Sequence, residues 1–276
     1  MEQTAGNVMT TFDPLQVRRT VLRMAYAGST VHIGCAFSIV ELLTVLYRSH
    51  LRFDGHDPRA TGRDYLVLSK GHGVMAQYAC LHESGCLSAE EMQRYFGDGT
   101  RLKGLADAHV PGIEATTGSL GHGLSVAAGL ALGAKLGKTD QRCYTVVGDG
   151  EINEGTIWEA MLFAAQFRLD NLFVLVDKNG FQAMGTTDEV IALGDVGGKF
   201  AAFGCDVAKV DGHDEGQIDA ALVSMKAMQN GRPKVIVANT VKGKGVSFME
   251  NDNRWHYTRL DAGTYAAAMA ELEGAA

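Results

Sequence analysis

The chain has 276 residues and a formal net charge of −7, from 25 basic and 32 acidic side chains. This length fits one large α/β domain, or one domain with extensions. The acidic balance without a basic run argues against nucleic acid as a partner, and no apolar stretch is long enough to span a bilayer. Five scattered cysteines are typical of reduced thiols. The N-terminus, Met1-Glu2-Gln3, has no pattern of a signal peptide, so we expect a cytoplasmic protein.

Helix signals dominate the first part of the chain. Asp13 and Pro14 are typical of an N-cap and a first helical position, and they predict a helix that runs to Gly28. Ser38-Ile39-Val40-Glu41 has the pattern of a capping box and predicts a helix through Tyr47. The elements predicted next are a strand at 65–68, a helix at about 74–84 and a second capping box at 88–91.

Strands and helices alternate in the rest of the chain. The predicted elements are a helix at about 120–136, a strand at 143–148, a helix at about 154–167, a strand at 172–176, a strand at 207–210, a helix at about 215–228, a strand at 235–238 and a terminal helix at about 260–276. This alternation predicts an α/β fold, a doubly wound and mostly parallel sheet flanked by helices. We expect a single domain over 1–276, with a helical extension over about 1–60 and a tail over about 246–276.

Polar residues follow two of the predicted strands. Asp149 lies in Gly148-Asp149-Gly150 after the first of them, and Asn179 follows the second. Open α/β folds bind ligands at this carboxyl edge of the sheet. One carboxylate and one amide oxygen suit Mg²⁺, which completes its octahedron with waters and substrate phosphates, so the pair suggests a metal that holds a diphosphate. A plain turn residue is the alternative, and Gly97-Asp98-Gly99 repeats the tripeptide without a strand before it.

A loop of small residues at 116–123 precedes the long helix. Backbone N–H groups in such a turn, with the helix N-terminus behind them, can receive an anion. Close packing between helices is the alternative interpretation, because Gly and Ala favour it as well. The loop therefore predicts either an anion site or a tight helix contact.

Four of the nine histidines lie in loops beside Gly, Pro or polar residues, namely His32, His72, His109 and His256. Imidazole is the side chain best suited to proton transfer near neutral pH, although a lone loop histidine is more often an ordinary surface residue. We expect ordinary, solvated roles for His50, His56, His82 and His213, while His122 is ambiguous. None of the spacings forms a compact zinc signature.

Taken together and in order, these motifs resemble the transketolase family, specifically its amino-terminal diphosphate-binding domain. The similarity extends over most of the chain. The segments that carry it are 28–34, 68–73, 117–121, 148–154, 177–180, 242–245 and 255–256.

The resemblance implies thiamine diphosphate as the cofactor. It implies that Asp149, Asn179 and the backbone carbonyl of Phe181 hold Mg²⁺, or Ca²⁺, and that Glu154 lies at a subunit contact. The cofactor-binding residues that it implies are His72, Gly118, Ser119, Leu120, Gly148, Gly150, Asn179 and His256. The catalytic residues that it implies, facing the hydroxyls and carbonyl of the substrate, are His32, His109 and His256.

The implied reaction transfers a two-carbon ketol unit from a ketose, or ketose phosphate, to an aldose acceptor. The similarity covers only about the first domain of the family. It therefore implies a partner subunit that carries the pyrimidine-binding domain and its activating glutamate. We expect an α₂β₂ heterotetramer, and we expect negligible turnover from this chain alone.

Three alternatives stay open. The chain could belong to another split thiamine diphosphate enzyme, one that decarboxylates a 2-oxo acid or transfers an acyl group. It could be a non-catalytic subunit that binds the cofactor, although every motif position expected of this half holds a chemically competent residue. A generic nucleotide-binding protein is a third interpretation of the loops, but the sequence lacks a Gly-x-x-x-x-Gly-Lys-Ser/Thr loop and a strand-anchored Gly-x-Gly-x-x-Gly.

Overall fold

Five parallel strands form the centre of the fold. The computed structural model describes residues 12–275. Three predictions therefore fall at least partly outside the described residues: the start of the helical extension, the absence of a signal peptide and the last residue of the tail. The strands are β1 (Tyr65–Leu68), β2 (Cys143–Gly148), β3 (Leu172–Lys178), β4 (Asp206–Asp211) and β5 (Lys234–Asn239). They run in the order β1-β2-β3-β5-β4, and every neighbouring pair is parallel.

Helices cover both faces of this sheet. They are α1 (Pro14–Ala27), α2 (Ile33–Phe37), α3 (Val40–Val45), α4 (Val74–Glu83), α5 (Ala89–Gln93), α6 (His122–Leu136), α7 (Gly155–Gln166), α8 (Thr187–Val190), α9 (Val196–Ala202), α10 (Glu215–Ala227) and α11 (Ala262–Gly274). The helices α1, α3, α4, α10 and α11 share one hydrophobic cluster with side chains of one face, and α6, α7 and α9 share a second cluster with side chains of the other face. Strands buried on both faces carry near-continuous apolar runs, as β2 and β3 do, and the predicted doubly wound α/β fold is confirmed.

Most predicted elements are confirmed, with small shifts at their ends. Asp13 caps α1 by accepting a hydrogen bond of 3.0 Å from the Leu15 amide. Ser88 and Glu91 form the predicted capping box of α5. Every helix among the described residues is too short or too polar to cross a lipid bilayer.

The capping box predicted at Ser38 is wrong. Helix α3 begins without a side-chain cap and continues into one π-helical turn, Leu46–His50. The Ser38 hydroxyl instead donates to Asp177 Oδ2 at 2.8 Å, and Glu41 pairs with Arg18 at 2.5 Å. Both side chains are buried, so partners from distant segments replace the local capping bonds.

Two histidines that were expected to be solvated are not: His50 is buried and the side chain of His213 is only 12% exposed, so that expectation is wrong. The Nε2 atom of His50 lies 2.8 Å from Asp219 Oδ1 on α10. His213 donates from Nδ1 to Glu41 Oε2 at 2.9 Å and accepts at Nε2 from the Val241 amide at 2.8 Å. Each histidine gains its burial from partners that are remote in the sequence, which local polarity does not reveal.

Arg18, Glu41 and His213 form a buried polar network beneath the loop that follows β5. Besides pairing with Glu41, Arg18 donates from Nε to the Lys244 carbonyl at 2.8 Å. His213 accepts from the Val241 amide in the same loop. The network therefore fixes the backbone on both sides of residue 242.

Replacement of Glu41 with glutamine is expected to lower the free energy of unfolding by about 3–5 kcal/mol, because the buried charge of Arg18 loses its partner. Burial alone would raise the pKa of Glu41 above 4.5. The hydrogen bond from His213 and the charge of Arg18 outweigh burial and lower the pKa to about 2. The ionised group therefore stabilises the fold fully above its usual pKa of 4.5, and this contribution is lost as the pH falls through 2. Urea denaturation at several pH values measures both effects.

The matched control for Glu41→Gln is Lys209→Gln. This variant removes the ion pair of Lys209 with Asp195, whose side chains are 58% and 65% exposed. Exposed pairs contribute little to stability, so the urea midpoint should stay near that of the parent chain. Equal shifts for the two variants would contradict a structural role for the buried network.

Candidate functional site

The two polar strand ends meet in one cavity. Strands β2 and β3 pair in a register that sets Gly148 opposite Asp177, so the residues after them lie at the same edge of the sheet. A cavity of about 590 Å³ opens at this edge. The predicted site residues that line it are His32, His72, Gly118, Leu120, Gly148, Asp149, Gly150, Glu154, Asn179, Phe181 and His256.

Two predicted site residues do not line this cavity. Ser119 lies outside the lining, although its neighbours Gly118 and Leu120 belong to it. The side chain of His109 is 88% exposed, and its Nδ1 lies 2.7 Å from Asp107 Oδ1. The roles of Ser119 and His109 therefore stay predictions.

Asp149 and Asn179 are fixed by the backbone around them. Asp149 is 1% exposed, and its two carboxylate oxygens accept from the amides of Gly150 at 2.8 Å and Gly180 at 2.5 Å. Asn179 accepts at Oδ1 from the Phe181 amide at 3.1 Å, while its Nδ2 donates to a carboxylate oxygen on β3. The amide oxygen and the carboxylate are thus held in defined orientations beside the same cavity.

The donor set at these strand ends suits a hard cation. Residues 12–275 contain no group of three or more His, Cys, Asp or Glu side chains that could hold a metal by themselves. One carboxylate, one amide oxygen and one carbonyl leave the other positions of an octahedral ion to waters and phosphate oxygens. Burial and the charge of Asp177 raise the pKa of Asp149 to about 7, so a cation would compensate the ionised carboxylate. The residues present therefore fit Mg²⁺, or Ca²⁺, together with a diphosphate.

Glycine turns bring the backbone of the 116–123 loop close to the cavity. Gly118 and Gly121 have φ angles of +141° and +86°, which residues with a side chain rarely adopt. A Cβ atom on Gly121 would lie 2.3 Å from Thr156 Oγ1 and 2.7 Å from Glu154 Cβ. Close packing against α7 thus explains Gly121, whereas Gly118 and Leu120 line the cavity.

Three of the four loop histidines form a cluster on the cavity wall. The ring centroids of His32, His72 and His256 lie 5.3 to 5.6 Å apart. Burial lowers the pKa of each ring, and the charges of Lys242 and Lys70 lower it further; the pKa of His256 falls to about 3. The rings are therefore neutral at pH 7, and each has one unprotonated ring nitrogen that can accept a hydrogen bond from a bound hydroxyl.

His32 adopts a left-handed backbone conformation, with a φ angle of +71°. Its amide donates to the carbonyl of His256 at 3.1 Å, and its side chain makes no capping bond to α2. This conformation costs a residue with a side chain roughly 1–2 kcal/mol, and such strain concentrates at functional sites. The strained turn is what places the imidazole of His32 on the cavity wall.

Two buried lysines beside the cavity carried no predicted role. Lys70 is 2% exposed and pairs with Asp177. Lys242 is 1% exposed, donates to Asn253 Oδ1 at 2.6 Å and lies 2.9 Å from His256 Nδ1. Each lysine precedes a glycine in a segment that carries the family resemblance. This position, after an apolar run and before a glycine, was the sequence feature that could have indicated a role for both lysines.

Glu151 also carried no predicted role, and it joins three loops around the cavity. Its buried carboxylate accepts from Ser69 Oγ at 2.5 Å, from the Gly121 amide at 2.8 Å and from the Gly148 amide at 3.0 Å. Burial raises the pKa of Glu151 despite these bonds. The residue therefore fixes the loops that surround Asp149.

Fold and cavity together define an α/β domain that binds a polar ligand at the carboxyl edge of a parallel sheet. A family model described as the thiamine diphosphate binding domain of transketolase matches residues 18–273. The chain belongs to the transketolase family.

Several relatives of similar length are named as individual subunits of transketolases. The chain is 39% identical to one subunit of the apulose-4-phosphate transketolase of Phocaeicola vulgatus, over 92% of this chain and 90% of that protein. It is 42% identical to a 6-deoxy-6-sulfo-D-fructose transketolase subunit of Clostridium sp., over 88% of each chain. The chain therefore corresponds to the amino-terminal subunit of a split transketolase.

Solved transketolases share the fold over nearly all of this chain. The transketolase of Leishmania mexicana superimposes with a TM-score of 0.88 at 30% identity, over 96% of this chain and 41% of that protein. The transketolase of Campylobacter jejuni gives a TM-score of 0.89 at 28% identity, over 97% and 43%. This chain thus spans about two fifths of the length of these solved transketolases.

Proposed function

We propose that this chain is the diphosphate-binding subunit of a two-component transketolase, which transfers a two-carbon ketol unit from a ketose phosphate to an aldose acceptor. The observation that carries the proposal is that Asp149, Asn179 and three neutral imidazoles line one cavity at the carboxyl edge of the sheet. Thiamine diphosphate, when bound, supplies the electron sink for cleavage of the carbon–carbon bond. No feature of the site favours a decarboxylating or non-catalytic alternative.

The strand ends would hold the cofactor through its diphosphate. Asp149, Asn179 and the carbonyl of Phe181 would bind Mg²⁺ or Ca²⁺. The residues that would lie along the cofactor are His72, Gly118, Ser119, Leu120, Gly148, Gly150 and His256. The backbone N–H groups of the 118–120 turn and the two buried lysines would add positive charge around the anion.

The histidines would manage protons at the substrate. His32 and His256 are neutral and partly buried, so each can accept a proton from a substrate hydroxyl and return it to an oxygen of the product. His109 would join them only if the assembled enzyme brought it over the cavity, because its side chain is exposed in this chain.

A partner subunit would complete the site. Glu154 is exposed on the cavity rim, where it would meet that partner. Helices α6 and α7 pack together and expose large apolar side chains, which suits a protein interface: Val126, Leu162, Phe163 and Phe167. We propose a heterotetramer of the α₂β₂ type, located in the cytoplasm, where the reduced state of all five cysteines would be maintained.

Co-purification with a partner that carries a pyrimidine-binding domain tests this function. We expect the complex to bind thiamine diphosphate with Mg²⁺ in a calorimetric titration, in preference to ATP and NAD, and to transfer ketol units from ketose phosphates. The single chain should show negligible turnover, because the activating glutamate belongs to the partner. Robust ketol transfer by the single chain would reject the two-component assignment, and heat from ATP or NAD alone would reject the cofactor.

A further inference from the structure

A second cavity of about 410 Å³ opens beside the first. Two residues, His32 and Leu105, line both cavities. Tyr257 lines the second one, and its ring centroid lies 5.7 Å from that of His32. A ligand that reaches past the imidazole of His32 would therefore extend into the second cavity.

The second cavity is positively charged. Lys103 and Arg259 line it, and no aspartate or glutamate of the described residues does. Within residues 12–275 neither cation forms an ion pair: Lys103 donates to the Thr100 carbonyl at 2.8 Å, and Arg259 donates from Nε to the Ser29 carbonyl at 2.8 Å. This concentration of unpaired positive charge stands out in a chain with a net charge of −7, and it favours an anion.

The rest of the second cavity is apolar and aromatic. Val31, Phe96, Leu105 and Tyr257 form its walls, and the last three are more than a third exposed. Phe96 has a φ angle of +59°, which is strained for a bulky residue, and its amide donates to the Leu102 carbonyl at 3.0 Å. A carbon chain with one anionic end fits these walls better than a fully hydrated ion does.

We infer that Arg259 and Lys103 bind the anionic terminal group of the sugar substrate, a phosphate ester or a sulfonate. The inference rests on the proposed function, because it takes the first cavity as the place where the sugar reacts. The guanidinium of Arg259 leaves both terminal nitrogens without a hydrogen bond in the described part of the chain, and its planar fork matches the oxygens of such a group. Lys103 adds a second positive charge at the same cavity.

Steady-state kinetics of the reconstituted complex test the inference with three donors: a ketose phosphate, the corresponding ketose sulfonate and the uncharged ketose. Arg259→Gln should lower kcat/KM for the charged donor that the parent complex prefers by roughly ten- to hundred-fold, mainly through KM, and leave the uncharged ketose unaffected. Lys103→Gln should act in the same direction with a smaller effect. The donor that suffers the larger loss identifies the anion as phosphate or sulfonate.

The matched control is Arg254→Gln. Arg254 lies in the same segment, is 83% exposed, pairs with Asp252 and lines neither cavity. Its replacement should leave all three donors unchanged. An equal loss for charged and uncharged donors in Arg259→Gln, or no loss at all, would overturn the inference.

Failure of the proposed function is distinguishable from failure of this inference. Absence of ketol transfer by the parent complex would reject the function, and calorimetric binding of the ketose phosphate and ketose sulfonate would still test the anion site. Weaker binding of either ligand by Arg259→Gln than by the parent supports the site, and equal binding of both overturns it.

Discussion

The Asp149→Asn variant of the assembled enzyme is expected to lose at least about 100-fold in affinity for thiamine diphosphate, equivalent to about 2.7 kcal/mol. The carboxylate is the only full negative charge in the proposed donor set, and an asparagine oxygen would offer the divalent cation a neutral ligand without that charge. A calorimetric titration with the cofactor and Mg²⁺ measures the loss. The asparagine of this variant would lose one of the two backbone hydrogen bonds, because its Nδ2 cannot accept from an amide. At pH 8 this loss is offset by removal of a buried carboxylate whose pKa is about 7 and whose ionisation is unfavourable without a cation, so the stability of the chain should change little.

The sequence supplies the control for this variant. Asp98 lies in the same Gly-Asp-Gly tripeptide, but it is exposed in a turn and lines neither cavity. Asp98→Asn should bind thiamine diphosphate like the parent enzyme. If Asp149→Asn retained full affinity, the metal role of Asp149 would be rejected. If it lost stability and affinity together, Asp149 would instead be a structural residue.

Much of this sheet edge could be predicted from the sequence, because the signal is local. Short β-branched runs that stop at small polar residues indicate buried parallel strands, and the carboxyl ends of parallel strands share one edge. Asp149 and Asn179 follow two such runs, and the observed register sets residues 148 and 177 opposite each other. Two strands that are neighbours in the sheet and end at matching positions were sufficient to predict that Asp149 and Asn179 lie at one edge.

The remaining features depend on contacts between distant segments. Strand β5 lies between β3 and β4, an order that no local pattern specifies. Ser38 has the sequence of a helix cap but donates to Asp177, and Lys70 is buried because it pairs with that same carboxylate. For Ser38 and Lys70 a partner more than 100 residues away decides the outcome, so local preferences give the wrong role or none.

His109 shows a different limit. The family resemblance implies that it faces the substrate, yet this chain leaves the side chain exposed beside Asp107. If a second subunit positions His109, as we propose, one chain alone does not locate it. The variant His109→Asn therefore tests assembly as well as chemistry, since a loss of turnover in the complex requires that the imidazole approaches the cavity.

The His32→Asn variant is expected to lower kcat of the complex by roughly 10²- to 10⁴-fold, the usual effect of removing a group that transfers protons. Asparagine tolerates the left-handed backbone at this position better than alanine, so the strained turn and the fold should persist. The amide is similar in size to the imidazole but cannot accept a proton at pH 7. Steady-state turnover, with thermal unfolding of the same samples, measures both quantities.

His56→Asn is the matched control, because His56 is exposed and lines neither cavity. Its turnover should equal that of the parent enzyme. A lower unfolding temperature of His32→Asn, in proportion to its lost turnover, would mean that His32 packs rather than reacts. Unchanged turnover would assign proton transfer to His256 instead, whose ring lies 5.3 Å from that of His32 and whose pKa of about 3 keeps it neutral. The double variant of His32 and His256 would then test this assignment. If either imidazole can transfer the proton, each single replacement lowers turnover little and the double replacement lowers it strongly.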